Sequence, residues 1–186
     1  MHLQTVQTLP RSICQKVLIY AYAFENCTGI TSIHLPDSIT TLGYKVFGGC
    51  SNLVSANYPV NWVNSPSGNG SNSYEYGNVF SGCPKLTEIE IPEGVKVIAP
   101  HSFASLTTLT SVTLPSSLTE IGAYAFYGCS TLDNNSLDGN SIIPQSVRSI
   151  GAYAFMKTML WEKPEKNIVY AGNWVVGFAE YAKLGA

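Results

Sequence analysis

The chain has 186 residues, 45% of them hydrophobic, which suits one domain or one compact repeat array with enough apolar side chain for a continuous core. Charged residues make up only 12%, and the Lys and Arg are scattered in a chain of net charge −2, so no positive field exists to hold phosphate and nucleic acid is excluded as a partner. No stretch approaches the roughly 18–20 uninterrupted apolar residues of a membrane span, and the opening MHLQTVQTLP lacks the basic and apolar regions of a signal peptide. That leaves open a cytoplasmic protein, one whose leader has been removed, or a segment of a longer chain.

Leu9, Pro10 and Ile13 form a partial unit with no amphipathic cap before it, which suggests a fragment of a longer protein, and one string then recurs. IYAYAFENCTGI at 19–30 returns as LGYKVFGGCSNL at 42–53, IAPHSFASLTTL at 98–109, IGAYAFYGCSTL at 121–132 and IGAYAFMKTML from residue 150. The phenylalanines that anchor the copies are Phe24, Phe47, Phe80, Phe103, Phe126 and Phe155, at steps of 23, 33, 23, 23 and 29 residues. The period is therefore 23, with insertions before Phe80 and before Phe155.

A complete unit reads Leu109, Val112, Leu114, Pro115, Leu118, Ile121, Ala125, Phe126 and Cys129, and the units from Ile30 and Leu86 fill the same slots. One unit cannot bury its apolar face alone, whereas stacked copies bury one another's. Alternation at Ile33 and Leu35, Ile89 and Ile91, and Val112 and Leu114 predicts a short strand per unit, ended by a Pro that withholds a ladder donor. Strands of successive coils then pair in parallel on one face, and the I-G-x-Y-A-F portion is expected to form a turn of α- or 3₁₀-helix on the opposite side. The fold class is a solenoid, α/β or mainly β, of about six 23-residue coils.

Two insertions interrupt the pattern. VNSPSGNGSNSYEYGN at 63–78 is a polar loop whose Tyr74 and Tyr76, beside Trp62, have the composition of an adaptable recognition loop; a plain surface excursion fits as well, and Trp62 falls in a core slot. DNNSLDGN at 133–140 reads as a turn, and its Asp133 and Asp138 are a weak cation signal. From Asn167, NIVYAGNWVVGF abandons the repeat and alternates as a β-hairpin, either a cap on the last coil or the start of a further module. The solenoid is thus placed at 1–158 and the hairpin region at 159–186.

Candidate chemistry is thin. Cys27, Cys50, Cys83 and Cys129 occupy one repeat slot, and Leu106 in the same slot shows that it asks for apolar volume, so a column of buried thiols is expected rather than a metal site. A disulfide between neighbouring coils is geometrically conceivable. His2, His34 and His101 are too separated for a metal site, and no hydrolase, metalloprotease or phosphate-loop motif appears, so neither enzyme nor cofactor is expected. Asn26, Asn69 and Asn134 begin N-x-S/T sequons, a pattern common by chance in such a chain.

The outward strand positions pair Ser32 with His34, Ser55 with Asn57, Glu88 with Glu90, and Ser111 with Thr113. Stacking should align them into a polar strip that is either a binding surface or a merely solvated face, with Glu88 and Glu90 positioned to attract a basic partner.

The pattern LxxIxLPxxVxxIGxxAFxxC resembles the BspA-like subtype of leucine-rich repeats, over about residues 5 to 158. Departures are Leu106 and Thr158 in the Cys slot, the interrupted coil from Leu53 and the stretched coil from Leu132. The resemblance implies a leucine-rich-repeat solenoid from a bacterial or protozoan cell-surface or secreted protein. It also implies adhesion to a host or extracellular-matrix protein without catalysis or cofactor. Protein-binding candidates are Trp62, Tyr74, Tyr76, His34, Asn57, Glu88, Glu90, Ser111 and Thr113. The competing reading is a spacer within a longer surface protein, and open coil ends predict weak self-association.

Overall fold

The structure, a computed structural model, describes residues 17–63, 79–132, 143–159, 168–171 and 174–178. Coils are numbered here by their phenylalanines, from coil 1 at Phe24 to coil 6 at Phe155. Along one side run β2 (Ser32–Ile33), β4 (Ser55–Ala56), β5 (Glu88–Ile89) and β7 (Ser111–Val112), from coils 2 to 5. They pair in parallel so that equivalent residues face one another, Ser32 with Ser55 and Glu88 with Ser111, while a single bridge, Asn57 with Glu90, joins β4's coil to β5's. Inward positions such as Ile89, Ile91 and Val112 are buried, and the outward residues between them are wholly or partly exposed.

A second parallel line was not expected. It contains β1 (Val17–Ile19) and β3 (Ile39–Leu42), then β6 (Val97–Ile98), β8 (Glu120–Ile121) and β9 (Ser149–Ile150). Its buried residues fall three apart, as in Ile39 and Leu42 or Leu118 and Ile121, so a strand of two to four residues leaves no period-2 trace in the sequence.

The side expected to be helical is a chain of β-turns. In coil 5 the N–H groups of Ala125, Tyr127 and Cys129 return to the carbonyls of Gly122, Tyr124 and Phe126, while those of Tyr124, Phe126 and Gly128 leave for Ala152, Ala154 and Met156 of coil 6. A helix would keep every N–H within its own coil, whereas this ribbon sends alternate ones to its neighbour. The geometry requires positive φ at two positions per coil, here Tyr124 (57°) and Gly128 (72°). Left-handed backbone costs a non-glycine residue roughly 1–2 kcal/mol. Each inter-coil hydrogen bond returns about 1 kcal/mol and avoids a buried unpaired donor, so the turn ribbon holds even with tyrosine there.

Inside, the rings stack as Phe24, Phe47 and Phe80 at centroid distances of 5.3 and 5.6 Å, and as Phe103, Phe126 and Phe155 at 5.2 and 5.2 Å. Gly43, Gly122 and Gly151 lie directly over the preceding coil: a Cβ at Gly122 would sit 2.5 Å from the Pro100 nitrogen, and one at Gly151 2.2 Å from that of Ala123. Coil 4 carries Ala99 in this slot, and its N–H donates to the Tyr58 hydroxyl at 2.7 Å.

Hydroxyls and amides, abundant in the composition, stitch the coils. Thr108, Thr119 and Thr131 donate to carbonyls of Leu86, Lys96 and Leu109, and Asn52 donates to Thr28. At the C-terminal end β10 (Ile168–Ala171) and β11 (Trp174–Phe178) form the expected antiparallel hairpin, and Val176 packs against the solenoid core.

Candidate functional site

The outward face of the first sheet is built by repeat register. Because pairing is parallel and in phase, each outward side chain stands beside its equivalent one coil away, about 4.8 Å off. His34, Ser55, Glu88, Glu90 and Thr113 are exposed there and Ser111 is half-buried. Two grooves flank the glutamates. One, of about 570 Å³, is lined by residues that include Ser32, His34, Ser55, Asn57, Glu88 and Glu90; the other, of about 480 Å³, includes Glu88, Glu90, Glu93, Ser111 and Thr113. Among the described residues no Lys or Arg lines either groove.

Glu93 was not singled out in the sequence. Its carboxylate accepts the Ser116 backbone N–H at 2.9 Å and the Ser116 hydroxyl at 3.2 Å, and that backbone bond above all holds its pKa below the usual carboxyl range. The available signal was its position just after Pro92, which matches Asp37 after Pro36; Asp37 likewise accepts the Val60 N–H.

Two candidates are held by contacts within the fold. Asn57 is an internal tie, because its Oδ1 accepts the Leu35 N–H at 2.7 Å and its Nδ2 donates to the Leu35 carbonyl at 2.9 Å, which occupies the amide on both sides. Trp62 is fully buried and stacks on Tyr58 at 4.6 Å, so its core slot describes it and no face remains for a ligand. Tyr74 and Tyr76 lie outside the described residues, as do Asp133, Asp138, Cys14, His2, Asn69 and Asn134.

The repeat-slot cysteines are free thiols. Cys50, Cys83 and Cys129 donate from Sγ to the carbonyls of Phe24, Phe47 and Phe103 in the coil before, each at 3.1 Å. Burial pushes all three thiols up in pKa, that of Cys83 to about 12 with its neighbour Cys50 adding to the effect. Only the thiolate attacks an electrophile. Alkylation of these three by iodoacetamide at pH 8 is therefore expected to run at least ~100-fold slower in the native protein than in urea. Comparable native and denatured rates, read by mass spectrometry, would contradict the buried column. Among the described residues no three His, Cys, Asp or Glu side chains are grouped to hold a metal ion, and no helix is long and apolar enough to cross a membrane.

On the opposite, turn-bearing side, His101 stacks on Tyr124 at 4.7 Å and Tyr124 packs against Tyr153 at 5.1 Å. Burial lowers the His101 imidazole to a pKa of about 4, so it is neutral near pH 7.

The family model described as "BspA type Leucine rich repeat region" matches residues 8–69 and 76–163, in six copies. A leucine-rich repeat protein of Eubacterium ventriosum is similar at 26% identity and TM-score 0.54, with 75% of this chain aligned to 33% of that one. The leucine-rich repeat protein of T. pallidum is similar at 24% identity and TM-score 0.51, over 76% of this chain and 71% of that one, which shows the fold alone. This chain thus spans about a third of the Eubacterium protein. No curated protein matches it.

Proposed function

From a chain that belongs to the BspA-type leucine-rich repeat family, we propose a non-catalytic protein-binding module of a cell-surface or secreted protein, which adheres to a host or extracellular-matrix protein through the outward face of its first sheet. The observation that carries the reading is the pair of grooves on that face, lined by three glutamates and several hydroxyls with no Lys or Arg among the described residues. Rigid strands hold the exposed groups in register, so little ordering entropy is lost on contact. Carboxylates on such a face steer a partner bearing Lys or Arg and raise its rate of encounter. His34, Ser111 and Thr113 complete the surface as hydrogen-bonding groups, and Tyr74 and Tyr76 of the 63–78 insertion are a second candidate contact.

The test is binding of the purified chain to a panel of immobilised matrix and host-surface proteins, beside the double variant Glu88→Gln, Glu90→Gln and a variant with residues 64–77 replaced by a short Gly-Ser link. Saturable binding that falls ~10-fold or more in the double variant, and weakens with salt, is expected. Binding untouched by the double variant but lost with the loop would move the contact to the insertion. No binding to any panel member would leave the spacer role as the better account.

A further inference from the structure

Among the described residues bonding between coils is uneven, and it is thin between coils 3 and 4. Turn-side N–H groups of Tyr22, Phe24 and Asn26 reach coil 2, those of Phe47 and Gly49 reach coil 3, those of His101, Phe103 and Ser105 reach coil 5, and those of Tyr124, Phe126 and Gly128 reach coil 6. Among the described residues no such bond leaves Phe80 or Gly82 for coil 4. The thiol bond to the preceding coil is missing there too, because Leu106 fills the cysteine slot.

Among the described residues the first strand line thins at the same level. In the second line β1–β3 and β6–β8–β9 are described, and residues 64–78 of coil 3 between them are not. The first is split into β2–β4 and β5–β7, joined by the Asn57–Glu90 bridge and one Tyr58 N–H to the Glu90 carbonyl at 2.9 Å. A side chain spans the gap: the Tyr58 hydroxyl directs its one proton at the Trp62 carbonyl at 2.8 Å, with the Val97 carbonyl as a second acceptor at 3.1 Å, while it accepts the Ala99 N–H. Tyr58 also packs on the Phe103 ring at 5.9 Å. The Thr108 hydroxyl adds a bond to the Leu86 carbonyl at 3.1 Å and a longer one to Cys83.

We infer that the solenoid consists of two cooperative blocks, coils 1–3 and coils 4–6, which meet at a joint pinned by Tyr58. In a stacked repeat array stability is a sum of coil and interface contributions, and the weakest interface is where a partly open state separates. Between coils 4 and 5 the pairs β5–β7 and β6–β8 and the turn-side bonds all hold. Among the described residues the joint between coils 3 and 4 has one bridge, one backbone bond and a few side-chain bonds.

The test is native-state hydrogen exchange of the full chain in sub-denaturing urea, read amide by amide by NMR, with one mild core truncation in each block. Val46 and Val147 are both buried, and Val46→Ala or Val147→Ala removes two methyl groups without a new polar atom. Val46→Ala is expected to accelerate exchange at Phe24, Phe47 and Cys50 together by about tenfold, with less than about a twofold change at Phe103, Phe126 and Cys129. Val147→Ala is expected to give the mirror image. Acceleration of both sets by either variant, or a decay from coil to coil with no step between coils 3 and 4, would overturn the inference.

Discussion

Replacing Gly122 by alanine is expected to destabilise the protein by about 3 kcal/mol, seen as a fall of roughly 6–12 °C in Tm or a matching shift in urea midpoint. The added methyl would meet the Pro100 nitrogen at 2.5 Å and the Ile98 carbonyl oxygen at 2.7 Å. Both are backbone atoms of the coil below, so neither can rotate away. Relief requires the two coils to part, which strains the Gly122 N–H bond to the Ile98 carbonyl at 2.8 Å and the turn ladder beside it. Gly122 has no positive φ among the strained positions, so the effect is steric rather than conformational. The reciprocal change at the equivalent slot, Ala99→Gly, should cost no more than about 1 kcal/mol. Equal effects at both positions would show that close approach between coils is not what selects glycine.

Tyr58→Phe is expected to cost about 2–4 kcal/mol in opening the joint, although the ring and its packing survive. The hydroxyl is fully buried and serves three backbone groups, and burial raises its pKa so that it remains a neutral donor at any ordinary pH. Removing it leaves the Ala99 N–H and the Val97 and Trp62 carbonyls without that partner in a dry interior, where each unsatisfied group costs about 1–3 kcal/mol before water or relaxation helps. Exchange of the Ala99 amide should rise by ~30-fold or more, since 1.4 kcal/mol is tenfold, and thermal unfolding should broaden or split. An Ala99 amide as protected as in the parent protein would sink this account of the joint.

Much of the fold was legible because the repeat places one large residue in one slot. Phe24 through Phe155 announced the period, and the proline after each first strand announced its end. The second strand line was hidden because Ile39 and Leu42 are buried at a spacing that alternation does not reveal. The turn ribbon was misread as a helical turn for a different reason. Ala, Tyr and Phe carry no local instruction to send alternate N–H groups outward; the carbonyls of the next coil impose it.

At the candidate face, register alone placed His34, Glu88, Glu90, Ser111 and Thr113 together on one face. Asn57 occupies an outward slot by the same rule, yet its amide turned to Leu35, a contact 22 residues away that no pattern within one coil displays. Tyr58 carried a usable sign that alternation passes over. It stands where Leu35, Ile91 and Leu114 stand in their coils, and a phenol hydroxyl sent into a core needs a polar destination.

The turn side also gives the stack a direction. Every turn-side backbone bond between coils described above runs from an N–H of the earlier coil to a carbonyl of the later one, as Phe24 to Val46, Phe103 to Ala125 and Phe126 to Ala154. That edge is therefore polar, with amide protons directed toward the later coil and carbonyl oxygens toward the earlier one at each of these interfaces. Added coils, whether from the same chain or another copy, match this edge only head to tail, since head-to-head contact would set donors against donors.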